Sequence, residues 1–184
     1  MFELTDNALM LKVKSGDLEK MGLLYERHKK KLFGFFYNMN SNASLSEDLV
    51  QNVFVRMMKY RHTFTGQGQF LAWMFSTARN VQHDHFKKNN KHRSTYEIGA
   101  VEYKVKDTDD QESMNDRKDA ISILNRALLK LPKEKREILI LSKFKEMKFS
   151  EIGEVLGCSE GAAKVKAHRA LKELKHVFMQ MEIQ

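Results

Sequence analysis

The sequence predicts an all-α protein made of two small helical domains joined by a flexible acidic linker, with a helix-turn-helix in the C-terminal domain. Its 184 residues include one proline and nine glycines, and long alternating strand patterns are absent. Residues 94–118 are acidic and poor in large apolar side chains, which is typical of a tether. We therefore expect domains at 1–93 and 119–184, with a linker at 94–118.

The composition restricts the classes of partner and setting. A formal net charge of +8 favours polyanionic partners. Cys158 is the single cysteine, which excludes a disulfide framework and a cysteine-based zinc site, and favours a reducing, cytoplasmic setting. The sequence shows no run of about 18 apolar residues and no signal-peptide pattern, so we expect no membrane insertion.

The N-terminal part contains three clear helical patterns and a weaker one. The weaker pattern covers residues 2–14, and the first clear one covers residues 22–38. The capping-box pattern of Ser44-Leu45-Ser46-Glu47 predicts the start of the second clear helix. A polar, glycine-containing loop at 61–69 then leads into a helix over about 70–88.

The C-terminal part begins with an amphipathic helix and ends with a helix-turn-helix pattern. Pro132 stands where a first-turn proline is tolerated, ahead of a second helix. A short helix over 150–156 follows, then Gly157 as the left-handed residue that ends it. Ser159 is suited to cap the last helix. Two helices joined by such a turn form the DNA-binding motif.

The last helix has two contrasting faces at about 100° per residue. Its apolar arc comprises Ala163, Ala167, Ala170, Leu171, Leu174, Val177 and Phe178. Its cationic arc comprises Lys164, His168, Arg169, Lys172, Lys175 and His176. For an arbitrary helix such an arc is a solvated face, but here the turn and the small residues at the helix start favour DNA binding.

Four motifs, in this order, carry a family resemblance. They are the segments 47–54 (EDLVQNVF) and 70–80 (FLAWMFSTARN), Leu131-Pro132 with Arg136-Glu137, and Glu160-Gly161 with Lys164 and His168-Arg169-Ala170. The chain resembles the extracytoplasmic-function group of bacterial sigma factors, which are two-domain initiation subunits of RNA polymerase. The resemblance covers about residues 20–93 and 121–178.

The resemblance implies three functional surfaces. The polymerase-binding residues would be Asp48, Gln51, Asn52 and Arg56. The residues that recognise and open the minus-10 element would be Thr63, Phe64, Gln67, Arg79, Asn80, His83, Asp84, Lys87 and Lys88. The residues at the minus-35 element would be Ser159, Glu160, Gly161, Ala162, Lys164, Lys166, His168, Arg169 and Lys172. Of these last, the first five lie near the base edges and the rest suit phosphates.

The partners implied are core RNA polymerase, through its largest-subunit coiled coil and its flap, and promoter DNA. An anti-sigma protein is common in the family, and the sequence neither requires nor excludes one. A stand-alone helix-turn-helix regulator remains an alternative, although it leaves the 47–93 motifs unused. Consecutive His83, Asp84 and His85 do not converge on one ion on a helix, and no nucleophile or P-loop motif is present, so we expect no enzyme, metal or cofactor.

Overall fold

The computed structural model describes residues 4–92, 113–145 and 147–182, and within these ranges it contains helices and turns but no strand. The helices are α1 (Asp6–Lys14), α2 (Lys20–Asn40), α3 (Ala43–Lys59), α4 (Phe70–His92), α5 (Ser113–Lys130), α6 (Lys133–Leu139), α7 (Phe149–Leu156) and α8 (Glu160–Glu182). A short 3-10 turn covers Arg61–Thr63, and a π-helical turn over Ile140–Phe144 extends α6. The all-α prediction is confirmed. None of the helices described combines the length and the apolar character needed to cross a membrane.

One predicted helix start was wrong. The helix α3 begins at Ala43, and the Asn42 side chain caps it by accepting a hydrogen bond from the Leu45 amide at 2.9 Å. The chain turns at Ser41, which has φ 51°, so the extended residue Asn42 reaches the cap position before Ser44 does. Residues 113–118 of the predicted linker lie in α5, and the remainder of that linker lies outside the described residues.

The N-terminal core is built from aromatic and methionine side chains on α1 to α4. Phe35 of α2 packs edge to face against Phe36 and against Phe75 of α4, with ring centroids 5.2 and 5.4 Å apart. Phe70, at the start of α4, and Met57 of α3 are fully buried beside them. Offset and edge-to-face aromatic pairs add to the stability that burial of their area gives. This core fixes α3 and α4, which carry two of the three predicted surfaces.

The C-terminal core is smaller and is completed by alanines. Ile152 of α7 and Ala163 and Ala170 of α8 are fully buried, together with Leu139 of α6. Small side chains let α8 approach α7 closely, which is the geometry that a helix-turn-helix requires. The predicted apolar arc is confirmed at Ala163, Ala167, Ala170 and Leu174. Leu171 was assigned to it wrongly, since it is 41% exposed.

The two halves contact each other, and one guanidinium joins them. Buried Arg136 of α6 donates to the carbonyl oxygens of Leu128 and Leu129 in the last turn of α5, the former at 2.8 Å, and to that of Leu131 just after it at 3.0 Å. It also donates to the carbonyl of Met39, at the end of α2, at 2.6 Å. The last carbonyls of a helix lack partners within it, so Arg136 caps two helix ends at once.

Candidate nucleic-acid interface

The predicted polymerase-binding residues lie along the outer face of α3. Asp48, Gln51 and Asn52 are exposed, while Leu49, Val50 and Val53 turn into the core. This alternation follows from the helical period, which places the polar positions on the side away from α2 and α4. Sequence reasoning missed Val55, which is 67% exposed on this helix. The signal that could have marked it was its helical spacing, since Val55 follows Asp48, Gln51 and Asn52 by seven, four and three positions and so shares their face.

The fourth residue of that set is held by a neighbouring helix. Arg56 donates to Asp84 of α4, with Nη1 and Oδ2 2.7 Å apart. The hydrogen bond from Arg56 lowers the pKa of the Asp84 carboxyl, which keeps this carboxylate charged. The structure therefore couples a predicted polymerase-binding residue directly to a predicted minus-10 residue.

A groove runs between α3 and α4 around this ion pair. Its volume is about 310 Å³, and its lining includes Asn52, Arg56, Asp84 and Lys88. The lining also includes Val55, Lys59 and Tyr60, which sequence reasoning did not assign. The groove brings residues of two predicted surfaces together.

The predicted minus-10 residues lie in the 61–69 loop and in the middle and C-terminal part of α4, and they do not converge on one point. The 61–69 loop precedes the N-terminus of α4, whereas Lys87 and Lys88 lie near its C-terminus. At 1.5 Å per residue, Phe70 and Lys88 are about 27 Å apart along the axis. Asn80, His83, Lys87 and Lys88 are exposed between those ends. The surface therefore suits a run of nucleotides rather than one base.

The aromatic residue of the loop, Phe64, is packed in the core and is not presented at the surface. Phe64 is buried, and its ring meets those of Trp73 and Phe70 edge to face, with centroids 5.3 and 6.3 Å apart. Its side chain therefore lies in the core, away from any base at the surface. Thr63 and Gln67 are exposed. Of the loop residues predicted from sequence, these two have side chains at the surface.

Arg79 has a carboxylate partner in the other half of the chain. Its Nε lies 3.1 Å from both carboxylate oxygens of Glu137, at the seam between α4 and α6. Burial raises the pKa of Glu137, and the charge of Arg79 opposes that rise. Next to this pair, Lys133 Nζ lies 4.2 Å from the centre of the Phe86 ring. In this arrangement Arg79 faces the seam between the halves.

The helix-turn-helix depends on two glycines in and before its turn. Gly157 has φ 65°, the left-handed conformation that glycine favours, as predicted. A Cβ at Gly153 would lie 2.6 Å from the carbonyl oxygen of Cys158, so the chain passes too close there for any side chain. Sequence reasoning missed this requirement. The Ser159 hydroxyl accepts from the Ala162 amide at 3.2 Å, which confirms the predicted cap.

The predicted minus-35 residues, apart from Ala162, are exposed at the start and along the middle of α8. The exposed members are Ser159, Glu160, Gly161, Lys164, Lys166, His168, Arg169 and Lys172. Ala162 is half-buried, and Glu160 pairs with Lys164 across one helical turn at 2.6 Å. The result is a helix with a cationic outer face and free approach to its N-terminal turn.

Comparison with known proteins identifies both halves. The family models described as Sigma-70 region 2 and Sigma-70 region 4 match residues 24–92 and 121–174. The chain belongs to the sigma-70 family. It is a sigma factor, a subunit that directs RNA polymerase to promoters, and its relatives are extracytoplasmic-function sigma factors.

Two relatives match over nearly the whole chain. RNA polymerase sigma factor CarQ of Myxococcus xanthus is 29% identical, over 88% of this chain and 90% of its own length. ECF RNA polymerase sigma factor SigF of Caulobacter vibrioides is 32% identical, over 91% of this chain and 90% of its own. Both helical units and their order are therefore shared.

Two solved structures share the fold. CnrH, solved with the cytosolic domain of CnrY, has a TM-score of 0.72 and 21% identity, covering 95% of this chain and 97% of its own. The sigma factor RpoE of Bartonella quintana, solved with the anti-sigma factor NepR, has a TM-score of 0.69 and 18% identity, covering 86% and 96%.

Proposed function

We propose that each of the three surfaces described above has its own binding partner during transcription initiation. The exposed face of α3 binds core RNA polymerase, the 61–69 loop and the outer face of α4 bind the minus-10 strand, and the start of α8 reads the minus-35 element. The observation that carries the proposal is that one chain presents all three surfaces, each exposed on a region 2 or region 4 unit. A stand-alone regulator would use α7 and α8 and leave the others without a role.

The division between base reading and phosphate binding follows from position on α8. Side chains at the N-terminal turn of a recognition helix reach base edges in the major groove. Lys164 lies in that turn, whereas Arg169 and Lys172 lie one to two turns later on the exposed face. The later cations suit phosphates, which position the helix without reading sequence.

Promoter opening is assigned to α4 because its exposed side chains run beside a polar loop. Asn80 is exposed and can present its amide to an unstacked base, which costs a few kcal/mol to extrude. Arg79 becomes available to DNA only when its side chain separates from Glu137. An anti-sigma partner is also proposed, by analogy with the solved RpoE–NepR pair.

A template comparison tests the opening surface. Core polymerase with the wild-type chain, Asn80→Ala or Asp84→Ala initiates run-off transcription on duplex promoter and on a template mismatched across the minus-10 region. Because Asp84 also holds Arg56, which belongs to the proposed polymerase surface, the affinity of Asp84→Ala for core polymerase is measured beside its transcription. We expect Asn80→Ala to be defective on duplex and rescued in part on the bubble. Normal transcription from both templates would show that the outer face of α4 is merely solvated.

Polymerase docking has a separate test. Asp48→Lys and Gln51→Ala should weaken binding to core polymerase without changing the melting temperature, since both side chains are exposed. A solvent-facing change outside the proposed surfaces, Lys130→Ala, is the control. Unchanged affinity for core polymerase in both α3 variants would remove α3 from the interface.

A further inference from the structure

One face of α1 lies against the loop that leads into α4. The Asn7 side chain donates to the carbonyl of Gly68 at 2.9 Å and accepts from the Phe70 amide at 2.8 Å. Two helical turns further along α1, Lys14 donates from Nζ to the carbonyl oxygen of Phe64 at 2.7 Å. Asn7 therefore caps the N-terminus of α4 from another helix, and Lys14 fixes the beginning of the same loop.

A third side chain completes this contact. Leu11 lies between the other two, and a Cβ at Gly66 would come within 3.0 Å of its methyl group. Gly66 has φ +78°, so the loop bends toward α1 there in a conformation that glycine favours. Asn7, Leu11 and Lys14 are spaced by four and three residues, which places them on one side of a helix.

The loop makes few hydrogen bonds of its own in its exposed part. Between Thr65 and Gln69 the described contacts include one bond internal to the loop, from the Gln67 amide to the Thr65 hydroxyl at 3.3 Å. Thr65, Gln67 and Gln69 are exposed, so burial does not fix this stretch. Its path therefore depends on the contacts from α1, because each fixed residue costs conformational entropy that something must offset.

The position of α1 is itself well determined. Leu9, Met10 and Val13 are fully buried against the α2–α4 core. At its start, Asp6 accepts from Arg27 at 2.9 Å and lies 2.7 Å from His28 Nε2, both on α2. Buried apolar anchors together with an ion pair hold the helix in place. All of α1 precedes residues 24–92, so the region 2 match does not account for it.

We propose that α1 is the scaffold that sets the path of the 61–69 loop from Phe64 to the start of α4, and that Asn7 and Lys14 are positioning residues for promoter opening. Neither side chain touches DNA. They hold the loop backbone at Phe64 and at Gly68–Phe70, so that the exposed side chain of Gln67 between them is already ordered when it meets an unstacked base. The inference rests on the proposed minus-10 role of the loop.

The test compares Asn7→Ala and Lys14→Met with Lys12→Met, bound to core polymerase. Lys12→Met removes the same charge and keeps the same stem, but Lys12 lies on the exposed side of α1, away from the loop. Gln67→Ala serves as the direct loop variant, because its side chain is exposed. The measurements are polymerase affinity, binding of a minus-10 single strand, and the opening rate on duplex and on a pre-melted bubble.

We expect Lys14→Met and Asn7→Ala to slow opening and weaken strand binding by about tenfold, the loss of one or two charge-assisted or capping bonds. Polymerase affinity and minus-35 duplex binding should stay unchanged, which a general loss of folding would not allow. Asn7→Asp keeps the acceptor for Phe70 and should recover part of the loss. If Asn7→Ala fails to fold, Lys14→Met alone still decides the question.

Two results would overturn the inference, and they are distinguishable. If Gln67→Ala impairs opening while Lys14→Met and Asn7→Ala match Lys12→Met, the loop acts at the promoter but does not need α1. If Gln67→Ala also has no effect, the loop is not part of the minus-10 surface, and the proposed function of the loop falls together with this inference.

Discussion

Replacing Arg136 with methionine should destabilise the protein far more than the removal of an exposed charge. The guanidinium is buried and donates to four carbonyl oxygens, three around the end of α5 and one at the end of α2. Burial lowers the pKa of Arg136, but a guanidinium stays charged in proteins. Methionine fills the space of the stem and donates nothing, so the variant removes the bonds with little change of volume.

The magnitude follows from the bond count. At about 1.5 kcal/mol for each hydrogen bond to a charged group, four bonds amount to about 6 kcal/mol. Water can hydrogen-bond to some of the vacated carbonyls at the helix ends and so offsets part of this lost energy. We therefore expect the free energy of unfolding to fall by about 3–5 kcal/mol. A domain is stable by only about 5–15 kcal/mol, so the variant should remain folded in buffer but melt well below the parent.

Urea denaturation followed by two probes gives the assay. Far-UV circular dichroism reports all helices, whereas the fluorescence of the single tryptophan, Trp73, reports the N-terminal aromatic cluster. Because Arg136 lies on α6, the dichroism transition of Arg136→Met should begin at lower urea than the fluorescence transition. The free energy of unfolding of Arg136→Lys should lie between those of the parent and of Arg136→Met, since an ammonium cannot reproduce the forked set of bonds that a guanidinium donates.

Lys130→Met is the matched control, because it removes an exposed cation at the end of α5. This control should lower the free energy of unfolding by less than about 1 kcal/mol, the usual size of a surface charge effect at a helix end. If Arg136→Met comes within about 1 kcal/mol of Lys130→Met, the four bonds contribute little net stability and the capping argument is wrong.

Three further predictions follow from the turn, the cationic face and the seam. Gly153→Ala should lower the free energy of unfolding by about 1–3 kcal/mol, because its Cβ would lie 2.6 Å from a backbone oxygen. Gly161→Ala, whose Cβ would meet nothing within 4 Å, should leave it unchanged. Equal melting temperatures for the two variants would refute this. Arg169→Ala and Lys172→Ala should each reduce the salt dependence of minus-35 binding by about one log–log unit with unchanged base preference, and an altered preference in a promoter-library selection would contradict their assignment to phosphates. Burial raises the pKa of Glu137 above 4.5, so the folded state retains a proton that the unfolded state has lost. The free energy of unfolding should therefore fall as pH rises above 4.5, and Glu137→Gln should flatten this slope, which denaturation at several pH values would check.

The sequence by itself determined the helices and the helix-turn-helix. Helical periodicity and caps are local, so Gly157 and Ser159 could be assigned from neighbours within a few positions. The buried face of α8 followed from the same period at Ala163, Ala167 and Ala170. Local signals also have local errors, as at Asn42, which takes the cap position two residues before the predicted pattern.

Only the tertiary structure decided which charged residues pair and which are free to bind. Arg136 and Met39 are 97 positions apart, and no periodicity connects them. Sequence placed Arg56 and Asp84 on different surfaces, but the packing of α3 on α4 joins them in one ion pair. In the same way, Asn7 supports a loop 61 positions away. A helix period determines which side of a helix a residue occupies, whereas the partner opposite that side depends on how the helices pack.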